Sequence, residues 1–342
     1  MKPLGTLDEL PPDYLAALTG ANLVPLWPSL RALLPPQAPR TSTLPAHWRW
    51  SAIRPLLLRA GELTPMEKAE RRVLVLANPG RGLDNLQASA AIYLGMQLVL
   101  PGETAPCHRH TPNAARIVVE GEGAVTLVDG EACAMEPGDL ILTPTGQWHE
   151  HRHEGRVPVI WLDVLDLPLM VYLDVSYAIE GSAQTARQPQ FAYGAGGLAP
   201  IAHGHRADGA YPLLRYEWRR TRDALQAYAA VRTRSEPVQL AYVNPETGAD
   251  CLNTLAFAAL LLRPGEEIVL PRFSAARVFH AVEGAGQAHV NDTSIAFEQA
   301  DTFCTPGLAR VELSNRSSHA PAYLVMADES PLQRKLGIYE QR

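Results

Sequence analysis

The stretch PGETAPCHRHTPNAARIVVEGEG, residues 101–123, raises the question that organises the whole chain. A Pro-Gly turn is followed by a run with the alternation of a β-strand, and two histidines, His108 and His110, sit on that run with Arg109 between them. Successive strand residues point to opposite faces, so both imidazoles share one face, about 7 Å apart along the chain, while Cys107 and Arg109 look the other way. Cys107 could serve as a further ligand, but the alternation turns it away. Forty residues on, TPTGQWHEHRH (143–153) places His149, His151 and His153 at the same two-residue period. These two segments hold five of the eleven histidines of the chain. A third imidazole from a neighbouring strand completes one face of an octahedron and leaves adjacent positions open. Neutral imidazole suits iron, zinc, copper and nickel. His108, His110 and His149 are therefore the expected metal ligands.

Working outward, short β-rich runs fill the chain from Ala90 to about Val175. Asp129-Gly130 is a hairpin signal and Pro137-Gly138-Asp139 a second turn. This texture predicts a small antiparallel barrel or sandwich. Upstream, residues 1–89 are rich in Pro and Leu. LDELPPDYLAALTG and PMEKAERRVLVLANP look like short helices broken by proline, which makes an irregular helical N-terminal extension. Residues 176–245 lose the β rhythm and are expected to be a Gly/Ala-rich connection with one helix around RYEWRRTRDALQAYAAV.

A second β-rich block follows, within residues 246–342. PGEEIVLPRFSAARVFHAVEGAG (264–286) aligns without gaps on 101–123, and EQADTFCTP (298–306) answers EPGDLILTP (136–144). The chain therefore carries an internal duplication of a β-domain. In the second copy the three histidines are replaced: Pro271 answers His108, Phe273 answers His110 and Val311 answers His149. His280 and His289 lie elsewhere in that copy and read as core or surface residues.

The chain has 342 residues, 46% hydrophobic and 19% charged, a globular composition. A net charge of -6 leaves no basic footprint for nucleic acid. No run approaches the roughly 20 apolar residues of a membrane span, and the N-terminus lacks a secretory pattern. The four cysteines form neither a CxxC pair nor a disulfide framework, so reduced thiols in a cytoplasmic protein are expected.

Gly102-x5-His108-x-His110, followed by Gly121, resembles the first cupin motif. Gly138-x5-Pro144-x-Gly146-x2-His149 resembles the second. The glutamate that usually follows the HxH pair is missing near Ala114, so the site holds three histidines and no carboxylate. A duplicated cupin with this ligand set is similar to the gentisate 1,2-dioxygenase family, which also contains salicylate and 1-hydroxy-2-naphthoate dioxygenases. The likeness extends through AERRVLVLANP, the run around Gly95 and Gln97, and WLDVLDLPL, and is clear from about Trp48 to Tyr172.

The resemblance implies a mostly β bicupin with Fe(II), and an aromatic ortho-hydroxycarboxylate that chelates through its carboxylate and hydroxyl while O2 takes the adjacent position. Gentisate would then be cleaved between its carboxyl- and hydroxyl-bearing carbons to maleylpyruvate. A substrate carboxylate calls for arginine near the metal. Arg116 and Arg72 match family substrate-binding arginines, and Arg71 is expected to face outward. His151 matches a substrate-side histidine able to handle a hydroxyl proton. Gln97 and Tyr93 alternate onto one pocket face, with room for a ring above Gly95. Asp163 or Asp166 is expected to orient a ligand histidine or an arginine, and Trp148 to pack outside the barrel. A homotetramer is the assembly the resemblance implies. The alternatives are the same cleavage on salicylates or 1-hydroxy-2-naphthoate, a metal-dependent cupin isomerase, and a bicupin storage or ligand-sensing protein.

Overall fold

The computed structural model describes residues 3–187, 211–234 and 236–342. Most of the Gly/Ala-rich connection expected between the two β blocks thus lies outside the described residues. Residues up to Ser42 form one compact unit and Thr43–Arg342 the other. The first unit holds the helices Pro12–Gly20 and Leu30–Leu33, neither of which buries a residue.

Within the second unit the chain forms two copies of an antiparallel jelly roll. The first copy has a six-stranded sheet in the order Arg215–Tyr216, Leu140–Thr143, Ala114–Glu120, Val159–Leu165, Tyr93–Val99, Arg72–Val75. Its partner sheet has five strands: Ala178–Glu180, Thr104–His110, His149–His153, Ala124–Val128, Glu131–Ala134. The second copy repeats this with six strands and four. The expected Asp129-Gly130 hairpin is present, both residues having the positive φ that a tight two-residue turn needs, 45° and 81°. The duplicated EG-x-G places Gly121 and Gly284 at positive φ. A Cβ on Gly121 would collide with the carbonyl oxygen of Pro158, and one on Gly284 would lie 2.7 Å from that of Pro321. The strand end passes too close for any side chain, which is why both copies retain glycine.

The N-terminal 89 residues are less uniformly helical than expected. Ala46–Trp48 and Arg72–Val75 are strands, and only Met66–Ala69 of PMEKAERRVLVLANP is helical. The duplication reaches into this region. RVLVLANP (72–79) corresponds to VQLAYVNP (238–245), and each edge strand pairs with the first long strand of its own copy. The strand ahead of it does the opposite. Ala46–Trp48 adds to Thr302–Thr305 of the second copy, and Arg215–Tyr216 adds to Leu140–Ile141 of the first. Each copy therefore lends an arm to the other.

Equivalent aspartates hold the two arms. Asp139 accepts the backbone N–H of Trp218 at 2.8 Å and meets Arg215 Nε at 2.6 Å. Asp301 accepts the backbone N–H of Trp50 at 2.7 Å and meets His47 Nε2 at 2.9 Å. Trp50 and Trp218 open the helices Trp50–Leu63 and Trp218–Val231. Each carboxylate thus takes up an N–H with no partner inside its helix and sits at the positive end of the helix dipole.

The two interiors differ in chemistry. Where the first copy carries Gln97, Thr126, His151 and Asp163, the matching strand positions of the second carry Leu260, Ala288, Leu313 and Met326. Phe279 and Phe303 stack there at 4.9 Å and Phe297 joins at 5.5 Å. At roughly 1.5–3 kcal/mol per buried large apolar side chain, this filled interior is a stabilising core rather than a pocket.

Asp139→Ala is expected to lower stability by about 1–3 kcal/mol, because it leaves a helix N–H unpaired and Arg215 with only its 3.3 Å contact to Glu136. Asp139→Asn, which keeps an acceptor for Trp218, should cost less. Urea denaturation midpoints of the two variants measure the difference.

Candidate metal centre and substrate pocket

His108 stands on Thr104–His110, and His149 starts the neighbouring strand His149–His153, directly across from it. The ligand atoms of His108, His110 and His149 all lie within 4.8 Å of one another. Ring centroids are 5.4, 4.0 and 4.7 Å apart. Each Nδ1 is held by a backbone carbonyl two residues away: His108 to Pro106 at 3.0 Å, His110 to Pro112 at 2.8 Å and His149 to Gln147 at 3.0 Å. A carbonyl can only accept, so each ring carries its proton on Nδ1 and turns the Nε2 lone pair inward. His149 Nε2 is buried without a hydrogen-bond partner among the described residues. Burial pushes His108 down to about 3 and His110 to about 4, with the positive charge of Arg71 adding to the first and that of Arg116 to the second. His149 lies well below its usual value for the same reasons. Three neutral imidazoles with converging lone pairs fit a divalent transition metal.

Backbone carbonyls, rather than Asp163 or Asp166, orient the ligand histidines; the other role expected of these carboxylates, orienting an arginine, is the one Asp163 takes. Asp163 pairs with Arg116 at 3.2 Å and accepts the Trp161 indole N–H at 3.0 Å. Burial pushes its carboxyl up to about 6, against the pull of Arg116. Asp166 braces the turn ahead of Ala114–Glu120, accepting the Asn113 backbone N–H at 2.8 Å and its side-chain amide at 3.0 Å. Cys107 is buried on the other face, near Glu150 and Gln184. Trp148 lies under the guanidinium of Arg109 at 4.9 Å, outside the imidazole cluster.

Tyr93–Val99 carries the residues expected to line the substrate pocket. Gln97 is buried and its amide nitrogen has no partner. A Cβ built on Gly95 would meet Val73 Cγ1 at 2.6 Å and Tyr93 Oη at 2.7 Å, so the space above this glycine, where room for a ring was expected, is taken by Val73 and the Tyr93 side chain. Arg116 is buried beside the cluster, its guanidinium bonded to Thr143 Oγ1. His151 lies deeper, its ring 4.8 Å from that of Trp161 and 6.2 Å from that of His149. His153 ends its strand away from the cluster, bonded to the Val157 carbonyl at 2.6 Å.

The two neighbouring arginines exchange the places expected of them. Arg72 makes a two-pronged ion pair with Glu103, at 2.7 and 3.0 Å, and caps the Thr64 carbonyl at 2.9 Å. It is committed to the scaffold. Arg71 is the arginine whose charge reaches His108, His110, His151 and Asp163. The physical reason is strand parity. Val73 pairs directly with Gln97, so residues 71 and 73 share the inward face and 72 the outward one. That register is not visible in the sequence. Thr126 and Thr143, which hold His151 and Arg116, are likewise unmarked in the sequence.

Comparisons with known proteins agree with this architecture. Residues 95–165 match the cupin domain family. The chain is 57% identical over 341 residues to a gentisate 1,2-dioxygenase of Ralstonia sp., covering 99% of this chain and 96% of that one. It superposes on the salicylate 1,2-dioxygenase of Pseudaminobacter salicylatoxidans with a TM-score of 0.90 at 32% identity, over 100% of this chain and 99% of that one. A structure of that same enzyme with gentisate adducts gives 0.89 at 31% identity, covering 100% and 95%.

His108→Ala is expected to abolish tight binding of a divalent transition metal, whereas Cys107→Ser should retain it. Metal content after gel filtration, determined by plasma mass spectrometry, distinguishes the two.

Proposed function

Because the chain belongs to the gentisate 1,2-dioxygenase family of ring-cleaving oxidoreductases, we propose that it uses Fe(II) and O2 to cleave gentisate between the carboxyl- and hydroxyl-bearing carbons, giving maleylpyruvate. The observation that carries this reading is the set of three converging, neutral imidazoles beside the positive charges of Arg71 and Arg116. His108, His110 and His149 would hold the iron. When bound, iron supplies adjacent coordination positions for the ortho-hydroxycarboxylate and dioxygen, and the redox chemistry that joins them. Both oxygen atoms enter the product, so no external reductant is needed.

The remaining work falls to the chain's own residues. Arg116 is paired with Asp163 at 3.2 Å, and Arg71, whose ion pair with Glu70 is the looser one at 3.8 Å, adds the positive charge that a substrate carboxylate requires. The unpartnered amide of Gln97 offers a further donor to substrate oxygen. Gly95 lets Val73 and the Tyr93 side chain pack directly over the strand, where any larger residue would collide with them. His151 faces the substrate as a partner for a ring hydroxyl. Burial of these groups keeps water out, which strengthens each charged contact.

Gentisate is favoured as substrate by the 57% identity to the Ralstonia enzyme. The same cleavage of salicylates is the second reading, favoured by the likeness to a salicylate 1,2-dioxygenase that also forms adducts with gentisate. We place the protein in the cytoplasm, in keeping with four free, buried cysteines; no helix among the described residues is long and apolar enough to cross a membrane. A homotetramer is the proposed assembly, and the exposed apolar run Val171, Tyr172, Leu173, Val175 and Tyr177 is suited to such burial.

Dioxygen uptake by Fe(II)-loaded protein, with gentisate, salicylate and 1-hydroxy-2-naphthoate offered separately, tests the reading. Uptake with gentisate and formation of maleylpyruvate is expected, and absence of uptake with all three contradicts it. Arg71→Ala should raise KM for gentisate at least about tenfold, the scale of one lost charge-assisted contact. Arg72→Ala should act mainly on the denaturation midpoint. Steady-state kinetics beside urea unfolding separates the two arginines.

A further inference from the structure

Thr126 lies on Ala124–Val128, directly across from His151 on the next strand, and is fully buried. Its hydroxyl stands 2.9 Å from His151 Nδ1 and 3.4 Å from the thioether sulfur of Met135. A hydroxyl has one proton to give. If that proton is directed to Met135, the oxygen is left to accept from His151 Nδ1–H. Nε2, at the far end of the ring, then carries a lone pair. The surroundings favour this arrangement over its reverse. Arg116 and Arg71 make the space around His151 positive, and a lone pair is better placed in that field than an N–H. The Trp161 ring packs against the imidazole and limits its rotation.

The second copy supplies an internal comparison. At the positions of Thr126 and His151 it has Ala288 and Leu313, paired across the same two strands and buried in its apolar core. Hydroxyl and imidazole are absent together in the copy without the metal-site histidines, whereas the buried threonine that answers Thr143, Thr305, remains.

We propose that Thr126 is a positioning residue for the reaction: by accepting the Nδ1–H of His151 it sets the tautomer in which Nε2 accepts a hydrogen bond from a ring hydroxyl of the substrate. The inference rests on the functional reading above in taking that substrate to be an ortho-hydroxybenzoate. Thr126 touches neither metal ligands nor substrate and acts through His151 alone.

Neutron diffraction from deuterium-exchanged crystals of the full chain locates the proton directly. Deuterium on His151 Nδ1, with the Thr126 deuterium turned toward Met135, is expected. Deuterium on Nε2 with Nδ1 bare overturns the proposal. Kinetics of two variants provide an independent readout. Thr126→Val keeps the side-chain shape and is expected to lower kcat/KM about tenfold to a hundredfold, as loss of a partner that orients a functional histidine typically does. Its iron content should remain unchanged. Thr126→Ser should restore most of the loss, and a Thr126→Val variant with wild-type kcat/KM would refute the role. Should the wild-type protein consume no dioxygen with any of the three acids, the functional reading fails, and the deuterium position alone then decides the tautomer.

Discussion

Three backbone carbonyls determine what this protein can do. Pro106, Pro112 and Gln147 each hold the Nδ1 proton of a neighbouring histidine, so all three imidazoles turn Nε2 toward one point. Each acceptor lies two residues from its ring, and the local backbone sets each tautomer without help from a distant carboxylate. That leaves Asp163 free to balance Arg116, the nearest buried cation. Burial lowers the proton affinity of the rings and keeps the lone pairs available near neutral pH. The arrangement is costly to bury in the absence of a ligand, as the unpartnered His149 Nε2 indicates.

Duplication makes that cost tolerable. The second copy keeps the turns, the glycine at the close strand crossing and the aspartate that holds an arm, but fills its interior with phenylalanine, leucine and methionine. It contributes apolar burial, while the first copy carries polar groups that oppose it. The exchanged arms join the two, since each six-stranded sheet is completed by a strand that precedes the other copy. Loosening either arm therefore affects both cores, including the sheet that carries Gln97 and Arg116.

Much of this could be read from the sequence because the governing rules are local. His108 and His110 share a face by alternation, and the Asp129-Gly130 turn follows from the two positive φ values it needs. The repeat was visible as aligned Pro, Gly and Glu positions. The misreadings arose where distant pairing decides. Arg71 and Arg72 differ only in parity, which is set by the register of Val73 against Gln97, more than twenty residues away in the chain. Glu70, at φ 52°, breaks the run just before them, so no alternation carries over from the preceding helix. Ala46–Trp48 is too short to stand out as a strand and becomes one only by joining the other copy. Thr126 looks like any threonine of a strand until His151 is seen across from it.

Anomalous diffraction at the iron edge from crystals loaded anaerobically with Fe(II) tests the central claim most directly. A single peak is predicted in the first copy, bonded to Nε2 of His108, His110 and His149, with every Nδ1 still on its carbonyl. Iron held through Nδ1 of any of the three, or iron bound at another place in the chain, would contradict the account.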